Sequence, residues 1–320
     1  KYSRYMNADA YKLYSSKLEG RSAGIGVEVE TDPVSGYLLI TEVYPNSPAQ
    51  TEGLQKGDRI VAIGDDTVTA ENSAEMAGKL SGIKLTSVSL TYRRDDVDKS
   101  VNVVLGYTNQ TVSYELIGTV GYIKISAFYK NTLNQLEKAI TQLKKEGAKS
   151  LIFDVRSTYD GTVEYTCRVI DLLVPTATEG NKAIATLVDK TGKTVKTYSS
   201  DSKDIIMPMA VLINSDTAGC GELFACDLKD FGKAFLIGEK TAGRADVQET
   251  FELSDGGAIV LTTSKMLPYI SDSFDGNGLT PDTEIILADS LRENLSTLEK
   301  DRDTQLQAAV SMLAGNSAEE

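Results

Sequence analysis

Val211-Leu212-Ile213-Asn214-Ser215-Asp216-Thr217-Ala218-Gly219-Cys220-Gly221-Glu222 reads as a buried strand running into a turn of small residues and then into a helix. The apolar run 210–213 has no polar alternation, which is the pattern of a strand covered on both faces. The helix is expected over 222–231, a further strand over 234–238, and then the stretch Gly238-Glu239-Lys240-Thr241-Ala242-Gly243-Arg244-Ala245-Asp246-Val247-Gln248. Upstream, 120–126 and 150–155 read as strands. Residues 132–145 place Leu133, Leu136, Ile140 and Leu143 at helical spacing, and 162–174 reads as another helix. Strands alternating with helices predict an α/β layered core with parallel strands.

Composition narrows the chemistry. The 320 residues carry 41% hydrophobic and 25% charged side chains, enough for two domains with their own cores. A formal net charge of −13 opposes nucleic acid as a partner, because phosphates would be repelled. Histidine is absent, so no Ser-His-Asp site, His-ligated zinc or imidazole switch can be built. Acid–base work falls to Lys, Asp, Glu, Tyr or Cys. Cys167, Cys220 and Cys226 are too few and too scattered for a disulfide framework or a Cys-x-x-Cys metal knuckle, and read as buried thiols, with a pairing of Cys167 to either of the others left open. No cofactor or metal is expected. No apolar run approaches the ~18 residues of a membrane span. The opening Lys1-Tyr2-Ser3-Arg4-Tyr5-Met6 has the character of an interior segment, which leads to the expectation of a removed signal or anchor before it.

Residues 1–20 are expected to form a short capping helix that starts at Asn7 or Asp9 and stops at Gly20. From 23 to about 105 the pattern is β-rich. Strands are expected to open at Gly24-Ile25-Gly26-Val27-Glu28-Val29 and to run over 37–43, 58–63 and 87–92, with one helix over 73–80. A Gly-x-Gly turn entering a strand exposes consecutive N–H groups that suit a carboxylate, and the strand edge suits an extended peptide. Gly24-Ile25-Gly26-Val27, followed by Ser47-Pro48-Ala49 and Gly53-Leu54-Gln55-Lys56-Gly57-Asp58-Arg59-Ile60, resembles a PDZ domain of the bacterial protease type. The resemblance implies a peptide site formed by Gly24, Ile25, Gly26, Val27 and Val29, with Met76 and Leu80 of the helix.

The remainder resembles the carboxyl-terminal processing, or tail-specific, serine peptidases. The matching pieces are residues 6–26, Gly121-Tyr122-Ile123-Lys124-Ile125, Phe153-Asp154-Val155-Arg156, Val211-Leu212-Ile213-Asn214, Ile237-Gly238-Glu239-Lys240-Thr241, Asp255-Gly256-Gly257 and Gly278-Leu279-Thr280-Pro281-Asp282. The implied architecture is an α/β and β-rich chain: a PDZ domain plus a layered protease-like core of the ClpP and crotonase-like type. Its expected divisions are a cap over 1–22, the PDZ domain over 23–106, the core over 107–288 and a helical tail over 289–320. In the tail, Leu295, Leu298, Leu306 and Leu313 suggest packed helices, and 315–320 is expected to be disordered. Lys190-Thr191-Gly192-Lys193-Thr194 lacks the first glycine of a phosphate loop and reads as a hairpin turn.

The family hydrolyses peptide bonds with a Ser–Lys dyad supported by a Gln, a neutral Lys taking the Ser proton. This chain departs from that pattern three times. Gly219 stands at the nucleophile position and Arg244 at the base position, with Gln248 at the supporting position. Arg cannot serve as the base, because its neutral fraction at pH 7 is below roughly one in 100,000. After Arg156 the family has an Asn-Asn-Pro-Gly-Gly turn that helps form the oxyanion hole, where this chain has Ser157-Thr158-Tyr159-Asp160-Gly161.

These departures imply a pseudoprotease that binds C-terminal or extended peptides. One alternative is an active endopeptidase using Cys220, with Ser215 or Thr217 behind it and Lys240 or Glu222 as base. Cys220 is one residue out of register, about 100° around a helix. The other alternative is a structural scaffold or regulator of an active relative. Glu222 is expected to hold helix-start N–H groups, and Arg244 to pair with Glu222 or Asp160. The implied partners are peptide or protein C-termini and an active protease relative, a homo-oligomer being a further arrangement; the implied location is extracytoplasmic and bacterial.

Overall fold

The structure, a computed structural model, describes residues 2–20, 22–44, 47–108, 110–175, 183–200, 205–292, 295 and 298–316. Its contacts divide into two units, Ala8–Asn109 and a second made of Lys1–Asn7 with Gln110–Glu320.

In the first unit, the strands Val27–Thr31, Leu38–Val43, Arg59–Ile63, Ser87–Arg94 and Val97–Val104 form one sheet in that order, with Asp66–Thr67 added beside Arg59–Ile63. A second, three-stranded sheet holds Tyr107–Thr108, Ser22–Gly24 and Ser81–Ile83. Ile25, Leu38, Ile40, Ile60, Met76 and Leu90 fill the core. The Ser-Pro-Ala signature is a helix start: Ser47 Oγ accepts the Gln50 N–H at 3.1 Å, and Pro48 takes a first-turn position where no N–H is needed. Asp58 ends the following turn, accepting the Gln55 N–H at 2.8 Å while Arg94 grips both its oxygens at 2.6 and 2.7 Å. The sequence reading missed Val97–Val104. Half its side chains are polar and its four valines do not alternate strictly, so only the Asp95-Asp96 turn, with both φ values positive, marks the hairpin.

The first residues differ from the expected single helix. Arg4–Met6 is a strand of the second unit, paired antiparallel with Ala258–Leu267, and the helix occupies Ala8–Leu18.

The main sheet of the second unit runs Val112–Ile117, Val120–Ile125, Ser150–Asp154, Met209–Ile213, Ala234–Gly238, Thr283–Glu284. Its first pair is antiparallel and the rest are parallel. Alternate residues face two different cores. Ile123, Leu151, Phe153, Val211 and Ile213 pack under the helices Thr132–Glu146, Val163–Leu173 and Cys220–Asp230, while Val120, Tyr122, Ile152, Ala210 and Leu212 pack under Thr304–Asn316 through Leu306, Ala309 and Leu313. Covering on both faces is why these strands carry no polar alternation. Phe224 locks the Cys220–Asp230 helix down, its ring 5.5 Å from those of Phe128 and Phe153.

Thr304–Asn316 is tied to the sheet by a buried ion cluster. Arg156 donates to both oxygens of Asp154 at 2.9 and 2.6 Å, to both of Asp303 at 3.0 and 2.7 Å, and to Gln305 at 3.0 Å. Tyr122 adds its O–H to Asp154 at 2.7 Å, and Asp303 caps the helix by accepting the Leu306 N–H at 3.0 Å. Burial opposes the charge on Asp154, but Arg156 outweighs it and holds the carboxyl below its usual range. Leu306 and Leu313 are thus placed in the core as expected. Residues 317–320 lie outside the described residues, and Gly315 sits within the helix.

A second sheet, mostly unread in the sequence, joins Arg4–Met6, Asp246–Glu252, Ala258–Leu267, Ala183–Val188 and Thr194–Ser199. The Lys190-Thr194 stretch is its hairpin turn: Asp189 accepts the N–H groups of Thr191 and Lys193 at 2.8 and 3.1 Å.

Candidate active site

The turn after Met209–Ile213 is built by one side chain. Asn214 Oδ1 accepts N–H groups from Asp216 at 3.2 Å, Thr217 at 3.0 Å and Ser157 at 2.8 Å, so the turn and the 157–161 segment are fastened at the same point. Thr217 Oγ1 donates to the Val155 carbonyl at 2.9 Å, and the Ala218 N–H to that of Thr158 at 3.0 Å. Gly221 has to be glycine, since a Cβ there would lie 2.4 Å from the Thr158 oxygen.

Gly219 precedes the Cys220–Asp230 helix with φ 56 and ψ −110, a conformation that L side chains rarely adopt. Space is not the constraint: a Cβ would meet only the Tyr159 and Arg244 carbonyls, at 3.7 and 3.8 Å.

Glu222, fully buried, clamps this helix start to the next loop. Its carboxylate accepts N–H groups from Gly219 at 3.0 Å, Gly243 at 2.6 Å and Arg244 at 2.8 Å, and the Thr241 O–H. Thr241 Oγ1 in turn accepts the Leu279 N–H at 2.7 Å. The loop and the Gly276–Leu279 turn touch backbone to backbone, for a Cβ at Gly243 would lie 2.7 Å from the Gly278 nitrogen. Glu222 therefore holds N–H groups as expected.

The expected pairing of the Arg244 side chain with Glu222 or Asp160 is not found. Glu222 is filled by the four donors above. Asp160 accepts the Tyr129 O–H at 2.5 Å and the Gly161 N–H at 2.9 Å. The guanidinium instead lies 3.9 Å from the ring centroid of Tyr2, and among the described residues no carboxylate is in ion-pair range of it. Gln248 reaches the same segment, its Nε2 donating to the Tyr2 carbonyl at 3.3 Å. Sequence reasoning missed Tyr2, which no local pattern connects to residues more than 240 positions away.

The 157–161 segment is held in an unusual shape. Ser157 has φ 60, and Gly161 has φ 141 with the Phe128 oxygen 2.7 Å from where a Cβ would be. Asp160-Gly161 pairs in parallel with Ala127–Phe128. The Gly161 N–H already faces a carboxylate, its own neighbour's.

Cys220 is buried, and burial pushes its thiol up to about 11, Asp160 adding to the shift while Thr166 and Arg244 oppose it. At pH 7 that leaves about one thiolate in 10,000. Ser215 and Lys240 are exposed, and Thr217 is buried within the turn. The three cysteines are free thiols.

In the first unit, Ile25, Met76 and Leu80 meet in one buried cluster, with Val27 and Val29 partly buried against it. The Ile25 N–H is spent on the Leu80 carbonyl at 3.1 Å, so the expectation of consecutive open donors at Gly24-Ile25-Gly26 is corrected at its centre. Gly26, at φ 85, turns the chain, and its carbonyl accepts the Tyr44 N–H at 3.0 Å. Gly24 belongs to the small Ser22–Gly24 strand. Val27–Thr31 is an edge strand, flanked by the Ser73–Lys79 helix through a Thr31–Ser73 hydroxyl bond of 2.8 Å.

Residues 119–285 match the model of peptidase family S41, and residues 23–105 that of the PDZ domain. A probable CtpA-like serine protease of Staphylococcus epidermidis is 29% identical over 288 residues, 89% of this chain and 57% of that protein. A carboxyl-terminal-processing protease of a Picosynechococcus species is 28% identical over 327 residues, 99% of this chain and 76% of that protein. This chain thus spans little more than half the length of the staphylococcal relative. In fold it is similar to the structure of a putative S41 protease from Bacteroides fragilis, with a TM-score of 0.60 at 19% identity over 98% of this chain and 86% of that one.

Proposed function

The chain belongs to peptidase family S41, and from that premise we propose that it holds extended or C-terminal peptide segments without cutting them. One observation carries the reading. Gly219 supplies no side chain at the bent helix start where the family resemblance places the nucleophile, and Arg244, permanently charged, stands at the base position. The 157–161 segment supports it: the Gly161 N–H is satisfied by Asp160, so an anion already lies where the resemblance places oxyanion stabilisation.

Peptide capture would use the first unit. Among the described residues, one edge of Val27–Thr31, beside the Ser73–Lys79 helix, pairs with no strand, and an extended segment can add to such an edge through main-chain bonds, with Val27 and Val29 setting the side-chain contacts. The ligand class is the C-terminus of a peptide or protein, and an active relative sharing those substrates is the natural beneficiary. An extracytoplasmic location is part of this reading and rests on the family; among the described residues no helix is long and apolar enough to cross a membrane. A buried Cys220 thiol with a raised pKa argues against a cysteine-dependent peptidase.

The test is equilibrium binding of labelled C-terminal peptides to the full chain, with the bound peptide recovered and weighed by mass spectrometry. Intact peptide that dissociates on Val29→Pro, which removes an edge donor, supports the reading. Peptide recovered in fragments refutes it.

A further inference from the structure

The two residues that the family resemblance places at the base and supporting positions, Arg244 and Gln248, are both in contact with this chain's own segment 2–6. Arg4–Met6 is laid as a strand against Ala258–Leu267, with Arg4 opposite Val260, Tyr5 opposite Ile259 and Met6 opposite Ala258. Gly257 permits the approach, because a Cβ there would lie 2.7 Å from the Met6 carbonyl. The strand delivers Tyr2 to the two residues at the base and supporting positions: its ring to the Arg244 guanidinium at 3.9 Å, its carbonyl to Gln248 Nε2 at 3.3 Å. Tyr2 has φ 67, uncommon for an aromatic residue, so contacts rather than local preference fix it there.

We propose that Arg244 and Gln248 form a binding site for an extended peptide segment carrying an aromatic side chain, and that residues 2–6 are its resident ligand. This names the ligand class of these two residues and rests on the reading that the chain does not cut peptides. The chemistry fits each contact. A planar guanidinium without a carboxylate partner among the described residues offers its face to an aromatic ring, which a lysine ammonium in that place would do less well. The Gln248 amide reads main chain, so the site selects one aromatic residue and tolerates variety around it. External segments compete with residues 2–6 and are released when the strand returns.

The chain contains no tryptophan, so Tyr2→Trp introduces a single indole at the site, excited selectively at the red edge where the tyrosines do not absorb. In the full chain one face of the indole is expected to be covered by Arg244 and the rest open to acrylamide, Tyr2 itself being 38% exposed, and Arg244→Gln in the same background should raise the quenching by about twofold as the stacked face is released. A heptapeptide with the sequence of residues 1–7 should do the same saturably near millimolar concentration, the range a tethered competitor imposes. The same peptide with alanine in the tyrosine's place should not. Equal quenching with and without Arg244→Gln, or an identical response to both peptides or to neither, overturns the proposal. Mass spectrometry of the peptide separates the two readings: a cut peptide refutes the proposed function, whereas an intact peptide that fails to displace the indole refutes only this inference.

Discussion

Glu222 accepts the backbone N–H of Arg244 at 2.8 Å, while the guanidinium of the same arginine turns away onto Tyr2. The main chain at the base position is therefore fixed by a buried carboxylate, and the side chain at that position is free to serve a different partner. A fixed backbone and a side chain turned to another use can coexist at one residue because different atoms carry them.

Glu222→Gln keeps the size of the side chain but replaces one acceptor oxygen by a donor facing N–H groups. With four donors converging on the carboxylate, the expected loss is about 2–4 kcal/mol. Urea denaturation reads it, and a change under 1 kcal/mol would mean that the clamp is not structural.

Gly219→Ala and Gly243→Ala separate strain from collision. Both positions have positive φ, 56 and 76, but a Cβ at Gly243 would collide with backbone, the Gly278 nitrogen lying at 2.7 Å, whereas at Gly219 the nearest backbone atom, the Tyr159 oxygen, is at an ordinary 3.7 Å. Gly219→Ala should cost about 1–2 kcal/mol from the backbone alone. Gly243→Ala should cost about 2–5 kcal/mol, since overpacking adds to the strain. Equal melting shifts would contradict the geometry.

Asp227 is buried on the Cys220–Asp230 helix, with one oxygen accepting the Tyr269 N–H at 3.0 Å and the other without a partner. Burial raises its pKa well above 3.8, and Asp230 adds to the shift. The folded chain thus keeps a proton that the unfolded chain gives up near pH 3.8, so this group's contribution is complete below that pH and is lost as pH rises toward the folded pKa. Asp227→Asn should remove that loss and leave the protein more stable at pH 8 than the parent, by thermal melting across pH 4–8. A parent whose stability does not differ from the variant's at any pH would show the carboxyl to be solvated.

Arg156→Met leaves Asp154 and Asp303 buried and facing each other without the cation between them. Breaking one partner of such a cluster costs about 3–5 kcal/mol. The Thr304–Asn316 helix should lose hydrogen-exchange protection first, because Asp303 and Gln305 are its tie to the sheet.

All three thiols are buried, with their pKa values raised by burial, Cys220 to about 11. A disulfide reagent at pH 8 should therefore find them unreactive until the protein unfolds. Rapid stoichiometric labelling that Cys220→Ala abolishes would revive a cysteine nucleophile.

The four central strands of the main sheet were legible because they are covered on both faces and read as apolar runs, as at Ser150–Asp154 and Met209–Ile213, whereas its edge strands Val112–Ile117 and Thr283–Glu284 went unread. The helix over Thr132–Glu146 was legible from the spacing of Leu136, Ile140 and Leu143, all buried. Asp246–Glu252 and Ala258–Leu267 escaped, because one is half-exposed with Gln, Glu and Thr on both faces, and the other mixes apolar and hydroxyl residues. At the site, motif spacing singles out Gly219, Arg244 and Gln248, because each lies within a few residues of a readable strand end, Met209–Ile213 or Ala234–Gly238, or of the turn that follows it. The orientation of Arg244 could not be read, because it depends on Tyr2, brought there by the three-residue strand Arg4–Met6, too short to show a period.

The most direct measurement is turnover of an unfolded protein and of C-terminal peptides by the purified chain beside a Gly219→Ser/Arg244→Lys double variant. No cleavage by the native chain above the uncatalysed rate is expected, since in serine proteases removal of the nucleophile alone costs on the order of a million-fold. Cleavage by the native chain that persists after every contaminating protease is removed would contradict that expectation.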